Sequence, residues 1–184
     1  MELCDNTLFK ELAKTKKWFN AKEIRDILFQ LNNVFRILNE KNIAHRDIKL
    51  NNILVKYLNE EKSKFKVLLS DYGVSNQLCS MTKKYKTHAG TQIIMAPEIL
   101  SGKEYDNKCD LWSLGVIIYQ LYTKKPPYSG SFDKVILNQI NKLGQKVLDV
   151  IKDEKLKDLL SKLLVKEPEN RISWKAYFQH DFFR

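Results

Sequence analysis

Asp47 and Lys49 stand two residues apart, and Asn52 follows three further on, within Ile43-Ala44-His45-Arg46-Asp47-Ile48-Lys49-Leu50-Asn51-Asn52-Ile53-Leu54-Val55. A carboxylate and an amine at this spacing in an extended segment can both face one reacting group. An amide beside a strand can face a cation. Asp71, followed by Tyr72 and Gly73, adds a second carboxylate where a strand ends. The glycine leaves the backbone free to turn there, which suits a metal ligand. Both stretches also have plainer readings, a charged surface turn for the first and a common tight turn for the second.

Such residues need elements to hold them. Ile24, Ile27, Leu28, Leu31, Val34, Phe35 and Leu38 recur at helical spacing. Asn20 and Glu23 form a capping pair ahead of them. This predicts a long helix, buried along one face, that runs to Ile43-Ala44 and delivers the chain to His45. Leu8, Phe9 and Leu12 predict a short helix after Asn6-Thr7. Ile53-Leu54-Val55 predicts a buried strand, residues 58–64 a polar hairpin, and residues 65–69 a second strand that leads to Asp71. Residues 74–95 are polar and without period, as expected of a functional loop. Residues 105–122 are apolar nearly all round, which predicts a buried helix with Asp106 as its N-cap. Pro126-Pro127 ends it, and two more helices are predicted over 132–141 and 155–164.

The chain has 184 residues, a net charge of +10 and 43% hydrophobic residues. That length suits one domain, and the composition is that of an ordinary folded protein. The lysines are spread over every segment, with Lys14, Lys16, Lys17 and Lys83, Lys84, Lys86 as the densest groups. No basic helix carries interleaved base-reading side chains, so nucleic acid is not an expected partner. Cys4, Cys79 and Cys109 are odd in number and far apart, which argues against a disulfide framework or a zinc site. A reducing compartment, cytoplasmic or nuclear, is the expectation. The N-terminus shows no apolar signal core, and the most apolar stretch, 111–122, is too short to span a bilayer.

His45, Arg46, Asp47, Lys49 and Asn52 match the catalytic loop H-R-D-x-K-x-x-N, all spacings kept. With Asp71-Tyr72-Gly73 in place of D-F-G, Ala96-Pro97-Glu98 as A-P-E, and Asp110-x-Trp112-Ser113-x-Gly115, the chain resembles the eukaryotic protein kinases of serine/threonine type. Tyr72 keeps a large aromatic but adds a hydroxyl that needs a partner. The resemblance covers essentially the whole chain. It implies a mainly α fold, the kinase C-terminal lobe, with short β-hairpins at the catalytic and metal-binding loops. It places the interlobe hinge at Met1-Glu2-Leu3-Cys4 and makes residues 1–184 a partial kinase domain without its small lobe. The six glycines form no G-x-G-x-x-G, and no V-A-I-K lysine is present.

The resemblance also implies roles. Asp47 would orient the substrate hydroxyl and take its proton, and Lys49 would balance charge on the transferring phosphoryl group. Asn52 and Asp71 would hold Mg2+ for ATP. The backbone of Glu2 and Cys4 would face the adenine edge, with Leu8 and Leu54 beneath the ring. Thr87 falls at the activation phosphosite, Arg46 would meet its phosphate, and Thr91 would brace Asp47 and Lys49. Asp110 would face the catalytic-loop backbone or else serve its own helix. Glu98 would pair with Arg171, whose plainer reading is a surface arginine. The plainer reading of Thr87 is an unmodified surface residue. The expected substrate is a protein, and nothing in these residues specifies an oligomeric state. Asn51 and Gln120 stand where acids often select basic substrates, so a basic preference is not supported. Two alternatives stand beside the active kinase: an inert one-lobed binding module, and a basic nucleic-acid or membrane-surface protein.

Overall fold

The computed structural model describes residues 3–14, 19–62, 64–71, 76–77, 92–130, 132–142 and 145–184. Helices dominate, and a small three-stranded sheet and a two-stranded one flank residues 45–52.

Helix α2 (Ala21–Glu40) starts as its sequence demands. The Asn20 side chain accepts from the Glu23 N–H at 2.9 Å, and the Glu23 carboxylate accepts from the Asn20 N–H at 2.8 Å. Two orphan donors of the first turn are thereby satisfied. Ile24, Ile27, Leu28, Leu31, Asn32, Phe35 and Leu38 form its buried face. The helix ends earlier than its pattern suggests. Asn42 has φ 51°, a left-handed conformation that asparagine tolerates better than most residues. Ile43–Ala44 therefore leave the helix as strand β2, paired antiparallel with Asn76–Gln77 (β5).

The other sheet follows residues 45–52 in the chain. Strand β3 (Ile53–Tyr57) pairs with β4 (Phe65–Leu69) from Ile53↔Leu69 to Tyr57↔Phe65. In the connecting turn, Asn59 Oδ1 accepts from the Lys64 N–H at 2.9 Å. Strand β1 (Asn6–Thr7) pairs with β3 on its other edge. Two residues make a poor strand, and Asp5 extends it. Its N–H donates to the Val55 carbonyl at 3.0 Å, and its carboxylate accepts from the Tyr57 N–H at 2.9 Å. On the open edge of β4, the Val67 N–H is taken by Gln30 Oε1 of α2 at 3.0 Å. This bond closes one donor on the edge and ties the sheet to the helix that precedes His45.

Short helix α1 (Leu8–Lys14) follows β1 directly. Leu8 is 1% exposed and belongs to the main core. The switch from strand to helix follows Thr7, directly before it.

Helix α3 is a single turn (Pro97–Leu100), and α4 (Cys109–Thr123) is the central helix, with twelve of its fifteen residues buried. The expected N-cap at Asp106 is wrong. Asp106 accepts from the Lys108 N–H at 2.8 Å within a preceding turn, and α4 opens at Cys109 without a side-chain cap. Its other end stops at Lys124, φ 61°. Gly115 faces α6 (Glu154–Leu163) at a close crossing, where a Cβ would lie 3.0 Å from Leu163 Cβ. Only a glycine lets the two helices approach so nearly without displacement.

Helix α5 (Asp133–Asn141) packs Ile136 and Ile140 into a second cluster with Trp112 and Tyr128. Helix α7 (Trp174–Phe178) closes the base. Trp174 and Phe35 lie 5.4 Å apart by ring centroids, and Arg36 stacks over Phe178 at 4.2 Å. The fully buried Tyr177 hydroxyl donates to Asn32 Oδ1 at 3.0 Å, and burial pushes its pKa well above the ordinary value. Among the described residues no helix is long and apolar enough to cross a membrane.

Candidate active site

The segment between β2 and β3 carries the polar residues, and Asp110 shapes its first turn. Asp110 lies in the first turn of α4 and is 2% exposed. Its Oδ2 accepts from the His45 N–H at 2.6 Å, and its Oδ1 from the Arg46 N–H at 2.8 Å. Arg46 is held at φ 68°, a conformation that costs a non-glycine residue about 1–2 kcal/mol. Of the two possibilities for Asp110, the geometry shows the backbone of His45 and Arg46.

Burial pushes the Asp110 carboxyl up to about 6, against the two backbone donors that hold it down. The folded value lies above the unfolded one, near 4. Protonation of Asp110 therefore favours the folded state. That contribution is complete below about pH 4 and is lost as pH rises through about 6. Asp110→Asn keeps the shape but turns an N–H donor on one of two backbone donors. At pH 7 it is expected to cost about 1–3 kcal/mol. The gap from the native protein should widen between pH 7 and pH 4, because only the native carboxyl gains. Urea titrations at several pH values measure this, and a gap that narrows towards acid contradicts the upward shift.

His45 is fully buried, and its Nε2 lies 3.1 Å from the Ser70 carbonyl oxygen. A carbonyl only accepts, so the proton sits on Nε2. Nδ1 then accepts from the Asp47 N–H at 3.3 Å. Burial also lowers the imidazole pKa. His45 is thus a neutral clip between two backbone segments, and both ring nitrogens are engaged.

Asp47 Oδ2 accepts from Lys49 Nζ at 2.6 Å and from Asn52 Nδ2 at 2.9 Å. Asn52 Nδ2 also donates to the Asp47 carbonyl at 2.9 Å. The amide nitrogen is therefore committed to Asp47, and Oδ1 is the atom left for a cation. Asp71 follows β4 and Ser70, is exposed and has φ 65°. An amide oxygen and a carboxylate are hard donors that suit Mg2+. Asp47, Lys49, Asn52 and Asp71 lie at one end of the β3–β4 pair, with His45 between them.

A cleft of about 350 Å³ lies beside this end, lined by Leu3, Cys4, Asp5, Asn6, Thr7, Lys10 and Leu54. Cys4 and Leu54 are in it, and Leu8 is not. Arg46 lies over the Tyr105 ring at 5.6 Å. Glu2, Tyr72, Thr87 and Thr91 lie outside the described residues.

Below the site, Arg171 meets Glu98 through both guanidinium nitrogens, at 2.7 and 3.0 Å. The arginine is buried, not a surface residue. It also donates to the carbonyls of Val165, Lys108 and Lys166. Lys108 returns the contact by donating to the carbonyls of Pro168 and Arg171. Sequence reasoning missed Ser70 and Lys108, since a lone serine or lysine carries no pattern.

The structure thus brings Asp47, Lys49 and Asn52 into contact, sets the Asp71 carboxylate just after β4, and braces the backbone of His45 and Arg46 with buried Asp110. A family model for the protein kinase domain matches residues 1–183, and the chain belongs to that family. It is 34% identical to calcium-dependent protein kinase 4 of Plasmodium berghei, over 96% of this chain and 33% of that protein. It is 34% identical to serine/threonine-protein kinase 33 of Bos taurus, over 99% of this chain and 39% of the relative. It is 33% identical to serine/threonine-protein kinase ULK3 of Homo sapiens, over 98% and 38%. The chain spans about a third of the length of these curated relatives.

Proposed function

We propose that the chain is the large lobe of a serine/threonine protein kinase that transfers the γ-phosphoryl group of ATP to a protein hydroxyl. The observation that carries this reading is the Asp47 carboxylate. Lys49 and Asn52 hold its Oδ2, and Oδ1 is the oxygen available to a substrate hydroxyl. The hydroxyl oxygen forms a bond to the γ-phosphorus as the bond to the β,γ-bridging oxygen breaks. ADP leaves, and Asp47 accepts the hydroxyl proton. Lys49 places a positive charge where the transferring group carries negative charge. Bound Mg2+ would neutralise phosphate charge, and Asn52 Oδ1 and the Asp71 carboxylate are the atoms that would hold it. Leu54 and Cys4, which line the cleft, fit the nucleotide base. We assign Arg46 to a phosphorylated Thr87, Thr91 to bracing Asp47, and Glu2 to the adenine edge. An intracellular location, cytoplasmic or nuclear, goes with this use of ATP.

The test is the full-length protein with magnesium-ATP and a mixed serine, threonine and tyrosine peptide substrate. Phosphoserine or phosphothreonine is the expected product, and phosphotyrosine alone, or no transfer, overturns the proposal. The 184 residues by themselves are expected to turn over slowly. They contain no glycine-rich phosphate loop, and aligning a nucleotide for in-line attack can be worth about 7–11 kcal/mol.

A further inference from the structure

We propose that Ser70 is a positioning residue whose hydroxyl sets the spacing of the two metal-holding residues, Asn52 and Asp71. The inference rests on the kinase reading of those two.

Ser70 is half-buried, between the end of β4 and Asp71. Its N–H donates to the Asn52 carbonyl at 2.8 Å, and its Oγ–H donates to the same oxygen at 3.1 Å. A carbonyl has two lone pairs, so it takes both donors. The Ser70 carbonyl in turn accepts from His45 Nε2 at 3.1 Å. Every polar group of Ser70 is therefore spent on the catalytic segment.

This has a geometric result. Asn52 is fixed on one side by its amide, which donates to Asp47. It is fixed on the other by its carbonyl, which holds Ser70. Asp71 is the next residue after Ser70, and its left-handed backbone, φ 65°, needs support from a neighbour. The backbone N–H bond would form with any residue at position 70. Only the hydroxyl is particular to serine or threonine. It makes the contact between the two ligand-bearing segments two-pronged, which resists rotation of Asp71 about the strand end.

The test uses the full-length protein with Mn2+, which is visible by electron paramagnetic resonance, in the presence of ATP and without protein substrate. Ser70→Ala is expected to raise the Mn2+ dissociation constant about three- to tenfold, the effect of one lost hydrogen bond. Ser70→Thr keeps the hydroxyl and should stay within about twofold of the native value. Asp71→Ala serves as the reference for loss of a ligand. Lost Mn2+ binding in Asp71→Ala with native binding in Ser70→Ala overturns the role of Ser70 alone. Native binding in both overturns the metal assignment beneath it. Ser70→Thr as weak as Ser70→Ala also overturns the inference, since the hydroxyl would then not be the cause.

Discussion

Asp47→Asn is expected to lower phosphoryl transfer by the full-length protein about 10²–10⁴-fold and to leave folding intact. The amide has the shape of the carboxylate but neither its charge nor its basicity, so the substrate hydroxyl loses both its orienting acceptor and its proton sink. Folding survives because the neighbours keep partners. Asn52 Nδ2 still has the Asp47 carbonyl. The Lys49 side chain is 25% exposed and can return its charge to water at little cost. Turnover with magnesium-ATP, read beside the thermal midpoint, separates the two effects. Activity within a few-fold of the native protein would remove Asp47 from the mechanism.

Arg171→Ala has the largest expected effect on stability, about 3–5 kcal/mol. The loss is not simply that of an attractive pair. It leaves Glu98, 4% exposed, as a buried carboxylate without its counter-ion. It also abandons three backbone carbonyls that the guanidinium satisfies. Against a typical total of about 5–15 kcal/mol, that is a large fraction. Arg171→Lys should rescue little, because one ammonium cannot reproduce a planar fork that reaches both Glu98 oxygens and the carbonyls. The double variant Glu98→Ala/Arg171→Ala should cost less than the sum of the two single changes. Urea unfolding measures all three, and a loss below about 1 kcal/mol for Arg171→Ala would contradict the buried pair.

Long periodic elements were legible from residues alone. Helix α2 and its capping box, the β3–β4 hairpin and the buried helix α4 all follow from spacing that burial on one face or all round imposes. Elements without such spacing were not. Strands β1, β2 and β5 have two residues each, too few for an alternation to show. They exist because a distant partner strand lies alongside. Helices α3 and α7 have four and five residues, too few for a helical period to show, and α7 is held by aromatic packing on α2. Asp106 misled because a good capping side chain can serve a turn just before a helix as well as the helix itself. In the site, Asp47, Lys49, Asn52 and Asp71 were visible as a spacing of chemical types. Ser70 acts through hydrogen bonds to backbone and His45, and such partners leave no trace in sequence.

The brace from Asp110 to the backbone of His45 and Arg46 spans 65 and 64 residues of chain. Time enters through that separation. A ribosome adding about 5–20 residues per second needs roughly 3–13 s to make that length. Throughout this interval the His45–Asn52 segment has left the peptidyl-transferase centre, while the carboxylate that holds Arg46 in its left-handed conformation has not yet been made. The His45–Asn52 segment therefore cannot complete its folded geometry in the order in which it is synthesised. Helix α2 can collapse early around its own apolar face, but the loop it delivers must wait for the central helix. A nascent chain halted before Asp110 would carry every residue from His45 to Asn52 without the brace on the backbone of His45 and Arg46.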